Sequence, residues 1–481
     1  MTDPSATALP ETSPAPPARL EPDAIGVAQD TIIGMATSAP AAVVAITLAS
    51  LAATANYGGG AVLVVSAIPM LIIANAYRRL NMWNANAGAS FEWVGRSINP
   101  YLGFLTGWLM IAGYVLGTLS GVEVLGPSVL AIFGSSSTSV WANVAIATGV
   151  GLVMMGIAIV GIRITARSQV VMAVVEYSIL VGISIWGLVY VLTHHAGTVP
   201  VSSGWFSLTG IGGHGDAVAG FLIAVFIFTG WDGTLYVNEE VRHRRVNPGR
   251  AAIMAVLLLT VIYTLSMVGL QGVVSPSKLQ ANSTSALVYV AQALGGGGWA
   301  KVMALALALS VIATTGTGIV LTSRIVYGMA SYRVLPEFLA NVSRRWSTPV
   351  AASIIVGLLI VALSTIYYLA TSVQNAFYDV IDVTGLLFSI FYIMTALATM
   401  IYYRRRVFSS AWDALILGLL PLGAAVFLGW ILAKSLQSAP STQVWSLVGI
   451  VIAGVLLMFS ARYILKSPFF RMPRESDSPR H

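Results

Sequence analysis

The sequence predicts an all-α integral membrane protein with about 12 transmembrane helices. Hydrophobic residues make up 57% of the 481 residues, and charged residues make up only 9%. A typical soluble domain contains about 25% charged residues. Apolar runs longer than the roughly 18 residues that mark a membrane-spanning candidate also recur along the chain. So few charges cannot cover a soluble surface, and the predicted environment is therefore the lipid bilayer.

The two ends of the chain differ in composition from the rest. The first 30 residues are rich in Pro, Ala, Ser and Thr and contain no apolar run, which is typical of disorder. The apolar run begins only near Thr31 and lacks the basic start of a cleavable signal peptide. We therefore predict a disordered cytoplasmic tail over 1–30, a transmembrane domain over 31–466 and a second cytoplasmic tail over 467–481.

Twelve apolar segments within this domain are long enough to cross a bilayer. The predicted helices, one to twelve, are 31–54, 60–80, 100–127, 140–162, 166–193, 217–238, 249–274, 300–323, 349–370, 379–403, 411–434 and 443–465.

The basic residues of the loops support this number of helices. With the N-terminus inside, 22 of the 25 Lys and Arg residues fall on the cytoplasmic side, and only Lys278, Lys301 and Lys434 fall outside. Cytoplasmic loops of membrane proteins carry such an excess of Lys and Arg. One missed or invented helix would scramble the pattern. We therefore predict a multi-pass protein of the cell membrane with both termini cytoplasmic.

The composition excludes several other classes of function. The chain has no cysteine, so disulfides, thiolate metal sites and Cys nucleophiles are impossible. Its five histidines lie in loops or at the end without metal-ligand spacing, so we predict no enzyme activity, metal or cofactor. The scattered basic residues argue against nucleic acid as a partner. No acidic ring or filter-like loop indicates a channel.

Two predicted helices contain residues that interrupt helical hydrogen bonding at mid-depth. Helix one has Pro40 after a run of small residues, and helix six has Gly230 and Gly233 on either side of Asp232. Such breaks indicate backbone that lines a cavity or packs on protein. Breaks at matching positions five helices apart are typical of transporters built from inverted repeats. The alternative is a simple kink in helix one and close helix packing at the glycines.

Two acidic residues lie deep within predicted helices, where an ionisable group is costly and is usually functional. Asp232 lies about 15 residues into helix six. It is predicted either to receive a substrate ammonium or relay a proton, or to cap the second half of the helix. Glu176 lies well inside helix five, between its inner end and its middle. It is predicted either as a proton-coupling acid or as a structural, hydrogen-bonded acid.

Three stretches of the sequence resemble the amino acid, polyamine and organocation (APC) superfamily of permeases. Ala87 to Trp108 is similar to the pattern that follows the family's second helix and ends in Gly-Phe-x-x-Gly-Trp. Phe226 to Ala251 resembles the family's Phe-x-Phe-x-Gly-aromatic-acid run followed by Glu-Glu-Val-Arg. Residues 323–352 resemble the Ser-Arg-x-x-Tyr, Leu-Pro and Thr-Pro-x-x-Ala markers. These matches occur in the family's order and span roughly helices one to nine.

The resemblance implies a leucine-transporter-like fold, with a 5+5 inverted repeat plus two appended helices. The first repeat would be 31–193, the second 217–403, and the appended helices 411–465. Substrate would bind between the broken helices one and six, flanked by helices three, eight and ten.

The resemblance also implies the residues of the substrate site. The break of helix one would offer backbone groups to a substrate carboxylate at Thr37, Ser38, Ala39, Pro40 and Ala41. The break of helix six, from Phe228 through Gly230 to Trp231, would supply an aromatic lid and main-chain carbonyls for a substrate ammonium, next to Asp232. The family's usual glycine-rich break is Ser-Ala-Pro-Ala in this chain. Hydroxyl groups within Ala313 to Gly318 of helix eight would serve a sodium site or pack helices together.

These features predict a secondary active permease that imports amino acids, or polyamines and other amines, by alternating access. Glu176 and Asp232 favour H⁺ as the coupling ion because they offer buried titratable groups, while sodium coupling stays open. The alternatives are a substrate exchanger and a transporter-like nutrient sensor. The sequence does not specify which amino acid or amine is carried.

Overall fold

The computed structural model describes residues 19–135, 139–194, 199–213, 215–282, 286–369 and 371–476. Within this part of the chain, 12 helices are long and apolar enough to cross a membrane. The all-α class and the number of helices predicted from the sequence are therefore confirmed.

The spanning helices are numbered α1 to α12 in chain order. Three of them are interrupted: α1 consists of α1a (Val27–Thr37) and α1b (Pro40–Ala55), α3 consists of Pro100–Leu119 and Val122–Ile132, and α6 consists of α6a (Ala217–Ile227) followed by 3-10 turns at Trp231–Leu235 and Asn238–Glu240. The others are α2 (Gly59–Trp83), α4 (Val140–Val160), α5 (Ile162–Thr193), α7 (Asn247–Leu270), α8 (Gly297–Ser331), α9 (Val350–Leu369), α10 (Thr371–Tyr402), α11 (Ala411–Ser438) and α12 (Ser441–Ile464).

Short helices and turns join the spans. The short helices are Ser90–Ser97, Pro276–Ala281, Ala286–Gly295 and Arg404–Val407, and the remaining 3-10 turns are Asn56–Gly58, Ser203–Phe206, Leu208–Ile211, Glu337–Ala340 and Pro468–Arg471. Twelve crossings return the chain to the end of the bundle at which α1a begins. We call this end the termini end, and the opposite one the far end.

The spanning helices differ in how deeply they are buried. In the most apolar stretch of each helix, 83% of the residues of α8 and 78% of those of α1 are buried, against 17% for α12. Helices one and eight, both predicted to border the substrate site, therefore lie at the centre of the bundle. The last helix lies at its periphery, with one broad face left for lipid.

The two breaks occur where the sequence predicts them. Between α1a and α1b, Ala39 has a φ of +45°, a left-handed conformation that is uncommon for a residue other than glycine. Pro40 then opens α1b, where its missing N–H costs nothing. Gly230 follows α6a with a φ of +99°, and a Cβ there would lie 3.0 Å from the Thr37 carbonyl. The glycine thus lets the two breaks touch.

The N-terminal segment differs from the prediction. The first helix begins at Val27 instead of Thr31, and the segment before it packs on the bundle. The N–H of Ile25 donates to the Glu240 carbonyl (3.1 Å), and the N–H of Arg242 donates to the Ile25 carbonyl (2.9 Å). The predicted disorder of 1–30 is therefore wrong for 19–30, because Leu20 and Ile25 are buried against the bundle. Residues 1–18 lie outside the described part of the chain.

Candidate functional site

A cavity of about 390 Å³ lies in the far half of the bundle, between α1b, α3, α6a, α10, α11 and α12. Its wall is mostly apolar, with Thr47, Ser50, Ser389 and the carboxylic acid Glu123 among the polar residues. A pocket of this size, with few polar groups, is typical of a site for a small organic molecule.

A much smaller cavity of about 30 Å³ lies directly between the two breaks. Its volume suits a water molecule or two and is too small for an amino acid. Phe226 lines both this cavity and the larger one, and among the described residues it alone does so. The aromatic ring of Phe226 therefore separates the large cavity from the space between the breaks.

The first residue of α1b is a proline, which has no N–H, and the next two backbone N–H groups have no acceptor within the helix. The N–H of Ala41 donates to Oε1 of Glu176 on α5 (2.9 Å), and the N–H of Ala42 donates to the Ser310 hydroxyl on α8 (3.3 Å). A helix N-terminus favours an anion, and here the protein's own carboxylate takes that place. The second oxygen of Glu176, Oε2, is buried and accepts no hydrogen bond from the described part of the chain.

The carbonyl groups of the α1 break are also bonded within the protein. The Thr314 hydroxyl on α8 donates to the Ala36 carbonyl (2.8 Å), and the Tyr263 hydroxyl donates to the Ser38 carbonyl (3.4 Å). Thr314, one of the hydroxyl residues predicted for a sodium site or for packing, therefore joins α8 to α1 in this state. In the described part of the chain, no group of three or more His, Cys, Asp or Glu residues could hold a metal ion.

Asp232 lies in the 3-10 turn after the α6 break and is fully buried. One oxygen accepts a hydrogen bond from the Tyr392 hydroxyl of α10 (2.7 Å), and the other accepts one from the Tyr236 hydroxyl. The Trp231 ring stacks on Tyr392, with 5.3 Å between ring centroids, and meets Tyr77 edge-on at 5.4 Å. This carboxylate therefore bonds to tyrosine hydroxyls and lies outside the linings of both cavities.

The structure divides the predicted site residues into two groups. Lining the small cavity are Thr37, Ser38, Ala39 and Gly230. Packed behind it are Pro40, Ala41, Phe228, Trp231, Asp232 and Glu176. The predicted lid residue Phe228 packs edge-on against Tyr263, with 5.6 Å between ring centroids. Phe226, two positions earlier, is the aromatic residue that lies between the two cavities.

Sequence reasoning missed several residues that line the small cavity. Among them are Tyr114 and Thr118 of α3, Phe226 of α6a, and Thr384 and Phe388 of α10. Phe226 opens the Phe-x-Phe motif, so its signal was present in the sequence. The other four are uncharged, and nothing in their local sequence distinguishes them from packing residues.

A buried ion pair closes the termini end. Both side chains, Glu240 after the α6 turns and Arg324 on α8, are fully buried. Nε of Arg324 donates to Oε2 of Glu240 (3.1 Å), and Nη2 donates to Oε1 (3.0 Å). Such a two-point contact between guanidinium and carboxylate is both strong and directional, so it fixes the exit of α6 against α8.

Further hydrogen bonds join the same exit to α2 and to the loop after it. Nδ2 of Asn238 donates to Oδ1 of Asn81 (2.8 Å) and to the Asn86 carbonyl (2.9 Å). The N–H of Ala87 donates to Oε1 of Glu239 (3.0 Å), and burial raises the pKa of the Glu239 carboxyl above its ordinary value. The termini end is therefore tightly closed, whereas the far end holds the large cavity.

The fold is similar to that of a solved transporter. The crystal structure of the Eremococcus coleocola manganese transporter superposes with a TM-score of 0.58, covering 92% of this chain and 95% of that one at 12% identity. That identity shows a likeness of fold alone. The predicted leucine-transporter-like fold is confirmed.

Sequence relatives are amino acid transporters. The chain is 31% identical to Asc-type amino acid transporter 1 of Mus musculus over 29% of its own length and 26% of the relative's. It is 28% identical to large neutral amino acids transporter small subunit 2 of Rattus norvegicus over 52% of its own length and 44% of the relative's. It is 23% identical to the vacuolar cationic amino acid transporter 4 of Arabidopsis thaliana over 62% of its own length and 51% of the relative's. These matches span about a quarter to a half of the relatives' lengths.

Twelve apolar helices, two of them broken around a central cavity, define a multi-pass membrane protein of the transporter class. The profile of one family, described as Amino acid permease, matches residues 30–460. The chain belongs to the amino acid permease family, whose members are transporters and not enzymes. The predicted resemblance to the APC superfamily is confirmed.

Proposed function

We propose that this protein is a secondary active permease that imports amino acids across the cell membrane and is driven by protons. The family and the amino acid transporters among its relatives support the substrate class. The hydrogen bond from the Ala41 N–H to Glu176 is the single observation that carries the coupling mechanism.

The distribution of basic residues supports the orientation in this proposal. With the termini end in the cytoplasm, 22 of 25 Lys and Arg residues lie inside, as the positive-inside rule expects. The structure is then closed towards the cytoplasm by the Glu240–Arg324 pair and holds its large cavity in the outer half. Such a state is ready to receive substrate from outside.

Substrate would enter the large cavity and pass Phe226 to reach the space between the breaks. Rotation of this one ring would join the two cavities, because it is their shared wall. The substrate ammonium would then meet main-chain carbonyls of the α6 break, from Phe228 to Trp231. The carboxylate would meet α1 between Thr37 and Ala41, as the family resemblance implies.

The proposed coupling is an exchange of one carboxylate for another. The N-terminus of α1b offers two N–H groups, and Glu176 and Ser310 already hold them. A substrate carboxylate that binds the N–H of Ala41 must displace Glu176. The displaced group is buried beside a second negative charge, and both conditions favour its protonated form. One proton would thus be taken up with each substrate and released when the substrate leaves.

Asp232 has a different role in this proposal. Contact with a substrate ammonium would require the hydroxyls of Tyr236 and Tyr392 to leave the carboxylate. We propose instead that Asp232 fixes these two tyrosines and, through them, the contact between α6 and α10. In this proposal Asp232 does not contact the substrate, and it affects substrate binding only through the two tyrosines.

The test is uptake into proteoliposomes with a panel of radiolabelled amino acids and polyamines under an imposed proton or sodium gradient. We expect a proton gradient, acidic outside, to drive accumulation of at least one amino acid and a sodium gradient to drive none. Exchange without accumulation under any gradient would instead identify an exchanger. Binding without movement would identify a sensor.

A further inference from the structure

Asp30 is a buried acid that the sequence prediction left inside the disordered tail. It is the fourth residue of α1a, and its side chain is fully buried. Neither of its carboxylate oxygens has a hydrogen-bond partner among the described residues. A buried, unpaired carboxylate is one of the least favourable groups that a protein interior can hold in charged form.

The other buried acids of the described chain each have a partner. Glu240 pairs with Arg324, Asp232 accepts from two tyrosine hydroxyls, and Glu176 accepts from a backbone N–H. Glu92, the remaining one, accepts from Asn84 and pairs with Arg96. Asp30 is therefore the buried acid whose charge is compensated least.

By helical periodicity, Asp30 lies on the face of α1a that packs against the second part of α6 and against α7. On a helix, Asp30 shares one face with Gly34 and Thr37, four and seven residues later. A Cβ at Gly34 would lie 2.7 Å from the Thr234 side chain, and Gly233 would approach Thr37 in the same way. Towards the termini end, Ile25 pairs with Val241. We call this contact, from Ile25–Val241 to Thr37–Gly233, the α1a–α6 seam.

The ionisable groups of the elements packed against α1a form no contact with Asp30 that would neutralise it in the described part of the chain; one of them, the buried Tyr177 hydroxyl of α5, also has no hydrogen-bond partner there. These elements are α5, α7, α8 and the turn Trp231–Leu235. Their ionisable residues, with those of the α6 exit, are Arg163, Arg167, Glu176, Tyr177, Tyr190, Asp232, Tyr236, Glu239, Glu240, Arg242, Arg250, Tyr263, Lys301, Arg324 and Tyr327. Within the described residues, none of them forms a hydrogen bond or an ion pair with Asp30.

We propose that Asp30 is a proton-binding site of the gate at the termini end. Its carboxyl group is protonated while the α1a–α6 seam is closed. When the seam parts, the O–H bond breaks, the proton passes to water at that end, and the hydrated carboxylate remains. Closing the seam takes a proton back from the same side. This inference rests on the proposed function, since alternating access requires the seam to part.

The two proposed proton sites have different consequences. Glu176 takes up a proton on one side and releases it on the other, and so it couples transport to the gradient. Asp30 binds and releases its proton at one end and adds nothing to the net movement of charge. Because the closed state binds one more proton than the open state, rising pH at the termini end favours opening.

The absence of cysteine from the chain makes the gate directly measurable. Thr234→Cys would place a single thiol in the seam, where the native side chain is fully buried. Its rate of reaction with N-ethylmaleimide is measured in detergent across a pH series, without substrate or gradient. The same series is repeated with Asp30→Asn, which mimics the protonated acid, and with Asp30→Glu, which still titrates.

The expected result is a pH-dependent ratio of labelling rates. The ratio of the Asp30 protein to Asp30→Asn cancels the intrinsic titration of the thiol and any contribution from Glu239. We expect it to rise at least about tenfold between about pH 5 and about pH 8, with Asp30→Glu also dependent on pH. Ser50→Cys in the far cavity is the matched reporter, and its labelling should fall as the seam opens.

A ratio that stays constant with pH would overturn the proposal. It would identify Asp30 as a fixed charge that interacts with the N-terminus of α1a. If Asp30→Asn is not recovered as monodisperse protein, Asp30→Ser is the second neutral variant, with the same two outcomes. Because no substrate or gradient is used, a pH-dependent seam in a protein that accumulates no amino acid would refute the proposed permease alone.

Discussion

The first helix of each repeat carries a buried aspartate, and the two aspartates are held in opposite ways. Asp232, after the α6 break, has a hydrogen bond on each oxygen from a tyrosine hydroxyl. Asp30, before the α1 break, has no partner on either oxygen among the residues that the structure describes. Hydroxyl donors stabilise a buried negative charge, whereas an unpaired carboxyl group is most stable with its proton. The α6 side is therefore built as a fixed support, and the α1a side as a group that titrates when water reaches it.

Breaking the Glu240–Arg324 ion pair should have the largest effect on stability, and it tests this difference between paired and unpaired acids. Arg324→Gln would leave Glu240 buried without its partner, as Asp30 is. We expect a loss of about 3–5 kcal/mol in the free energy of unfolding, measured by denaturation in mixed micelles at neutral pH. The matched control is the double variant with Glu240→Gln, which removes both charges and should recover most of the loss. Equal losses in the two variants would show that the charge of Glu240 does not matter.

Asp232→Asn tests the supported aspartate. The two hydroxyls bond to different oxygens, and the amide nitrogen that replaces one of these oxygens cannot accept. One buried tyrosine hydroxyl therefore loses its acceptor, and we expect a destabilisation of about 2 kcal/mol. Substrate affinity should change by less than about threefold, since affinity follows direct contacts. Thermal unfolding and equilibrium binding measure the two effects, and Tyr392→Phe is the control that removes one hydrogen bond. A sharp loss of affinity with unchanged stability would instead place Asp232 in contact with the substrate.

Glu239 provides a smaller, pH-dependent effect at the termini end. Burial raises the pKa of this carboxyl in the folded protein. The folded state therefore binds the proton more tightly than the unfolded state, and stability falls as pH rises from the ordinary Glu pKa towards the raised one. We expect Glu239→Gln to flatten this part of a stability–pH curve by less than about 1 kcal/mol. A steeper stability–pH curve in the variant would contradict the raised pKa of the Glu239 carboxyl.

Asp30→Asn should have the smallest effect on stability. The variant keeps the size of the side chain and removes no hydrogen bond of the described structure, so we expect a change within about 0.5 kcal/mol below neutral pH. Its unfolding should be compared directly with that of Asp232→Asn. A loss as large as that of Asp232→Asn would remove the distinction between the two aspartates.

Most of the fold can be predicted from the sequence because the signals that determine it are local. Span length, loop charge and the helix-breaking residues Pro40 and Gly230 can be read without knowing any contact. The partners of the buried acids cannot be read in this way. Ala41 and Glu176 are 135 residues apart, and Asp232 and Tyr392 are 160 apart. Asp30 was missed because it precedes the first apolar run, although the helix already begins at Val27.

The most direct test of the account is proton-driven accumulation of an amino acid in proteoliposomes containing the native chain or Glu176→Gln. With an acidic exterior, the native chain should concentrate the substrate. Glu176→Gln should lose accumulation while still exchanging internal for external substrate, because its amide cannot take up the proton. Equal accumulation by the two proteins, with the same dependence on pH, would contradict the carboxylate exchange at α1b.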